Sequence, residues 1–159
     1  MKSFLDSLWT SVIIVLILIV ANGIFAMTEI AIVTSKKNRL EKLRDEGNSS
    51  ARYALLLAED PNQLLSTIQI GITLIGVITG AFGGATIAGQ VAVYVEQIDA
   101  LAPFSYELSF IMVVGLSTYL SLIIGELVPK RIGMGNPGRV ACAVAKTMFY
   151  FSKIGRPVI

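Results

Sequence analysis

Along this chain the apolar positions do not alternate with polar ones. They run on in three long blocks, at about residues 8–34, 64–95 and 108–128. Each is long enough to cross a bilayer, for which roughly 20 apolar residues suffice. Between the first two blocks the pattern turns amphipathic. The stretch "SKKNRLEKLRDEG" sets Leu40 and Leu43 at helical spacing among charges, and Gly47 is a natural stop. A second short helix is predicted from Ser49 or Ser50, both good caps, to Glu59, ending before Pro61. Together these predict a cytoplasmic hairpin near the membrane surface.

After the third block, "GNPGRVACAVAKTMFYFSK" predicts an amphipathic helix over about 137–153, with Asn136 as cap and Pro137 in the first turn. Arg139, Lys146 and Lys153 recur every seven residues and share a face, with Val140, Val144, Met148 and Phe151 as the opposing stripe. That is the pattern of an interfacial helix with basic residues toward anionic headgroups. A short fourth membrane helix or an interaction helix is the alternative. The second block is the least lipid-like. Gln69, Thr73, Gly76, Gly80, Gly83, Gly84 and Ile87 form one stripe, and Gly76, Gly80 and Gly84 make a seam on which membrane helices pack closely.

Composition supports a membrane protein. Of 159 residues, 54% are hydrophobic and 15% charged, and the mean hydropathy is +0.72; soluble domains carry about 25% charge. A net charge of +2 gives no reason to expect a nucleic-acid partner. The absence of His removes imidazole sites, and the single Cys142 excludes an intramolecular disulfide; it reads as a packed small hydrophobe. The first block is longer than a signal-peptide core and is read as a retained helix.

Charge also predicts orientation. Lys36, Lys37, Arg39, Lys42, Arg44 and Arg52 follow the first block, and Lys130, Arg131, Arg139, Lys146, Lys153 and Arg156 follow the third. The loop from about Glu96 to Glu107 has no Lys or Arg. By the positive-inside rule the N-terminus lies outside and the C-terminus is cytoplasmic.

Two carboxylates fall within the apolar blocks, Glu29 and Glu126. Ionisable residues are costly there and mark candidate sites. Counted from the nearest cations, Glu29 and Glu126 are predicted at similar depth, roughly 10 and 6 Å from the cytoplasmic boundary. Gln69 and Thr73 fall near that level on the second helix, and Thr28 adjoins Glu29. Such an oxygen-only set suits a hard cation, Mg²⁺ or Ca²⁺, or alternatively Na⁺. Pro129 could free backbone carbonyls near Gly125 as further ligands. Each residue also has a plainer reading. Glu126 and Lys130 form a favourable i,i+4 pair, Glu29 could be protonated or paired between helices, and Thr28 and Thr73 could bond back to their own helices.

The segments "ANGIFAMTEIAIVTSKKNRLEKLRDEGNSSA", "LLSTIQIGITLIGVITGA" and "GELVPKRIGMGNPGRVA" resemble the transmembrane domain of the CNNM/CorC family of magnesium transporters, whose bacterial branch also carries a hemolysin-like label. The resemblance runs from about Asn22 to Val140. It implies an all-α membrane protein with three transmembrane helices and a juxtamembrane belt helix, forming a homodimer. It implies a cytosolic pair of CBS domains after this region; they are absent here, so the chain reads as a fragment. The family's ion site uses the carboxylate of the "GE" motif, matched by Glu126 after Gly125, with hydroxyl and amide groups from the first two helices. Many members have "SGSE" where this chain has Ala26, Met27, Thr28 and Glu29, and paired asparagines where it has Ile72 and Thr73. The ion's ligand shell is therefore altered here.

The expectation is a dimeric, bacterial inner-membrane domain that moves Mg²⁺ outward, coupled to Na⁺ entry. Its metal ligands would be drawn from Glu126, Gly125, Thr28, Thr73, Glu29 and Gln69. No nucleophile–base pair or phosphate-cradling loop suggests an enzyme. The alternative is a non-transporting membrane anchor or scaffold for a cytosolic CBS-domain module.

Overall fold

The computed structural model describes residues 2–155, with side-chain surroundings for residues 7–154; Arg156 lies outside them. Helix α1 (Lys2–Thr34) is followed by α2 (Lys37–Asp45) and α3 (Ser49–Glu59). Helices α4 (Pro61–Ala81) and α5 (Ala88–Val95) join through a π-helical segment, Phe82–Ile87. After a 3₁₀ turn at Ala102–Phe104, α6 (Ser105–Leu122) passes through a second π segment, Ile123–Leu127, into α7 (Val128–Gly135). Helix α8 (Pro137–Gly155) completes the chain. There is no strand among the described residues, and three helical stretches are long and apolar enough to cross a membrane: Ser7–Thr34, Pro61–Val95 and Ala102–Gly135. This is an all-α membrane protein.

Local chemistry sets the joints. Gly47 ends α2 at φ 93°, a left-handed conformation that glycine adopts without a Cβ clash. The cap of α3 is Asn48, whose side chain accepts from the Ser50 amide at 3.0 Å, rather than Ser49 or Ser50. A side-chain amide one residue earlier wins because the turn at Gly47 leaves Asn48 extended. Asp60 caps α4 by accepting from the Gln63 amide at 3.3 Å, with Pro61 in the first turn.

Two cores hold the helices, one at each end of the bundle. At the basic end, α2, α3 and α8 form a collar around the ends of α1 and α4, with Leu40, Ala54, Leu64, Ile68, Ala145 and Met148 in its core. At the opposite end Val15, Ile19, Ile87, Ala88 and Val113 join α1, α5 and α6. Between the two cores α4 barely touches α6.

Three expectations change. The third span continues beyond Val128 to Gly135, because the π segment absorbs Pro129, whose missing N–H and ring would otherwise break the ladder. On α8 the buried stripe is Ala141, Cys142, Ala145, Met148 and Ser152, while Phe151 is exposed and Val140 and Val144 are only half-buried. The collar demands small residues, so the alanines turn inward and the larger apolar groups turn out. The glycine seam divides as well. Gly84 lies against Phe110 and Gly83 against Ser117, whereas among the described residues nothing lies within 4 Å of a Cβ placed on Gly76 or Gly80.

Candidate functional site

Helix α1 and the third span run parallel at close quarters because glycines alternate across their contact. A Cβ on Gly125 would lie 3.2 Å from the Ile19 carbonyl, and one on Gly23 would lie 2.8 Å from the Pro129 ring and 3.0 Å from the Ile124 carbonyl. Further along, a Cβ on Gly133 would meet Ile30 at 2.6 Å and the Met27 carbonyl at 2.8 Å. This register sets depth. Glu126 is level with the stretch of α1 just before Gly23, and Glu29 lies roughly 10 Å nearer the basic end. The similar depth expected from counting does not hold, because the cations after Glu126 belong to a helix that continues within the apolar span.

Glu126 sits in the π turn, its side chain 49% exposed, and accepts from Lys130 Nζ at 2.7 Å. Gly125 is buried, and its carbonyl accepts from Asn22 Nδ2 at 3.0 Å. Asn22 Oδ1 is buried with no hydrogen-bond partner among the described residues. Glu29 and Gln69 line one open pocket with Ser66. Thr28 is fully buried and donates to the Ile24 carbonyl at 2.7 Å; Thr73 is exposed and donates to the Gln69 carbonyl at 2.8 Å. Both hydroxyls therefore bond back to their own helices. The residues fall into separate groups: Glu126 with Lys130, Gly125 with Asn22, and Glu29 with Gln69. Among the described residues no group of three or more Asp, Glu, Cys or His could hold a metal.

A second set of oxygens was not anticipated. Where α4 separates from α6, Gly76, Thr79, Gly80 and Gly83 face Ser117, Thr118 and Ser121 across a half-open groove of about 210 Å³. Thr79 is 7% exposed and its Oγ1 has no hydrogen-bond partner among the described residues. Ser121 Oγ lies 3.4 Å from the Cβ position of Gly125, so the groove reaches the Glu126 turn. The legible signal is the four-residue spacing Ser117, Ser121, Gly125, and Asn22 alone amid an apolar run. Hydroxyls in an apolar run are usually back-bonded, and sequence does not reveal which are not.

Residues 13–159 match the model of the cyclin M transmembrane N-terminal domain, CNNM. The chain belongs to this family. Among curated relatives, the CNNM domain described here is 47% identical over 156 residues to UPF0053 protein sll0260 of Synechocystis sp., covering 98% of this chain and 35% of that protein. It is 30% identical to UPF0053 protein YhdP of Bacillus subtilis, covering 94% of this chain and 34% of that protein. It is 31% identical to a protein of Escherichia coli K12 named "Polyamine export protein", covering 94% of this chain and 33% of that protein. The chain thus spans about a third of the length of these relatives. As a CNNM domain with three apolar spans, it is a multi-pass membrane protein.

Proposed function

We propose that this chain is the membrane-spanning part of a homodimeric transporter that moves Mg²⁺ outward, with Na⁺ entry as the coupled flux. One observation carries the reading: a half-exposed carboxylate, Glu126, sits in a π turn of a spanning helix and already holds a cation, the Lys130 ammonium. A carboxylate in a bilayer span is costly unless compensated. An arriving Mg²⁺ would take the place of Lys130, with Asn22 Oδ1, the Gly125 carbonyl and the Ser121 hydroxyl as nearby oxygens. Hard cations favour such ligands, and Mg²⁺ keeps part of its water shell, so one carboxylate and a few neutral oxygens form a workable set. Glu29 and Gln69 would receive the ion at the basic end, taken as cytoplasmic; the Thr28 and Thr73 hydroxyls donate to their own helices and keep lone pairs that could face a cation. The CBS domains implied by the resemblance would lie in the part of the relatives beyond this chain. In this reading the protein resides in a bacterial inner membrane, N-terminus outside, and carries out no covalent chemistry.

A second reading has its own support. The ion on Glu126 is a primary alkylammonium, the terminal group of a polyamine, and the Escherichia coli relative is named as a polyamine exporter. Flux measured in liposomes containing the purified chain separates the two. Mg²⁺ flux abolished by Glu126→Gln supports the first reading, and diamine flux without Mg²⁺ flux supports the second. If the folded protein moves neither ion, the transport proposal fails and the anchor reading takes its place.

A further inference from the structure

Helix α2 begins against the rules for a helix N-terminus. The positive end of the helix dipole favours acidic residues, yet its first turn carries none, and Lys36, Lys37 and Arg39 crowd there instead. Lys36 occupies the cap position with no side-chain cap bond, and its carbonyl accepts from the Arg39 amide at 2.9 Å, which leaves the Lys37 and Asn38 amides ahead of the helix ladder. Helix α8 starts alongside: the Arg39 side chain lies 3.3 Å from the Cβ position of Gly138, and Arg39 Nη2 donates to Asn136 Oδ1 at 3.1 Å. The first turn of α8 also lacks an acidic residue and carries Arg139. The cations Lys36, Arg39, Lys42 and Arg139 line one pocket of about 520 Å³ that runs along α2 beside the first turn of α8. Its single acidic residue, Glu46, lies 3.8 Å from Lys42. Four cations with one carboxylate leave a positive excess, and an anion with several acceptor oxygens would satisfy it.

We propose that this pocket binds the phosphate group of an anionic membrane lipid. Position selects the lipid. Lys36 follows the end of the first span at Thr34 by two residues, which places the pocket at headgroup level, where basic clusters beside membrane helices meet anionic lipid. Tyr150, Phe151 and Ile154 on α8 are exposed, giving that helix an apolar surface for the acyl region. The bound lipid joins α2 to α8, the two halves of the collar, and so ties the ends of the first and third spans together. This inference does not depend on which cargo the transporter carries.

The test is thermal unfolding of the purified chain in neutral detergent, titrated separately with short-chain phosphatidylglycerol, short-chain phosphatidylcholine and inorganic phosphate. Phosphatidylglycerol is expected to raise Tm in a saturable way, since a ligand that binds only the folded state stabilises it. Phosphatidylcholine and inorganic phosphate are expected to leave Tm nearly unchanged. The double variant Lys36→Gln/Arg139→Gln removes two exposed cations and is expected to lose most of the lipid shift. The control Lys146→Gln/Lys153→Gln, on the same helix but outside the pocket, keeps it. An equal shift with inorganic phosphate overturns the lipid assignment. A full lipid shift in the pocket variant, or its loss in the control, overturns the site.

Discussion

At the scale of single residues, the proposed function sets the ammonium of Lys130 against an incoming cation for the same carboxylate. Mg²⁺ is expected to raise the Tm of the wild-type chain. Glu126→Gln keeps the shape and one oxygen but removes the charge, so most of that Mg²⁺-dependent shift should disappear. Lys130→Met removes the competing cation and should leave the shift equal or larger. If Glu126→Gln retains the whole shift, the carboxylate serves only to pair with Lys130 and the ion-site assignment is wrong. The sequence made both members of this pair visible, since Glu126 and Lys130 stand four apart. It did not expose Asn22, because an isolated amide in an apolar run becomes informative only when the neighbouring helix presents the Gly125 carbonyl to it.

At the scale of elements, glycines with different neighbours should respond differently. Gly23→Ala drives a methyl group into the Pro129 ring and the Ile124 carbonyl, and the carbonyl belongs to a π turn already shaped around the proline. A loss of about 1–3 kcal/mol, typical of overpacking, is expected, read as a lower Tm with the oligomeric state unchanged. At Gly80 a Cβ meets nothing within 4 Å among the described residues and faces the half-open groove, so Gly80→Leu should cost the monomer far less than Gly23→Ala. If the proposed dimer uses this face, Gly80→Leu should instead lower the dimer fraction on size-exclusion chromatography; an unaltered dimer places the contact elsewhere. Helix existence was legible here because the apolar runs are long. Helix continuity was not. Pro129 reads as a stop, and only the wide π turn and the room left by Gly23 carry the helix past it.

At the scale of the whole molecule, the cation count sets an orientation that a labelling experiment can check. Single cysteines at Ser49 and Gln97 should react with a membrane-impermeant maleimide from opposite sides. Labelling of Ser49 from outside, or of both from one side, overturns the positive-inside assignment and, with it, the proposed direction of transport. Cys142 should stay silent in this assay even without replacement. It is buried in the collar, and burial raises its thiol pKa, which lowers the reactive thiolate fraction.

Two packed ends with a thin middle make the bundle resemble a shaft carried in two bearings. Under load, such a shaft bows between its supports while its ends keep their place. Slack here lies around Gly76, Gly80 and the Ser117–Ser121 turn, next to the carboxylate and beside both π turns, whose loosened ladders bend more readily than a regular helix. Amide exchange in lipid nanodiscs should therefore be fast across 76–83 and 117–121, and slow across 51–57 and 141–148. Adding Mg²⁺, the proposed cargo, should alter the first pair of segments and leave the second pair unmoved. Uniform protection along α4 would mean that the shaft is rigid, and that access to Glu126 changes by moving whole subunits.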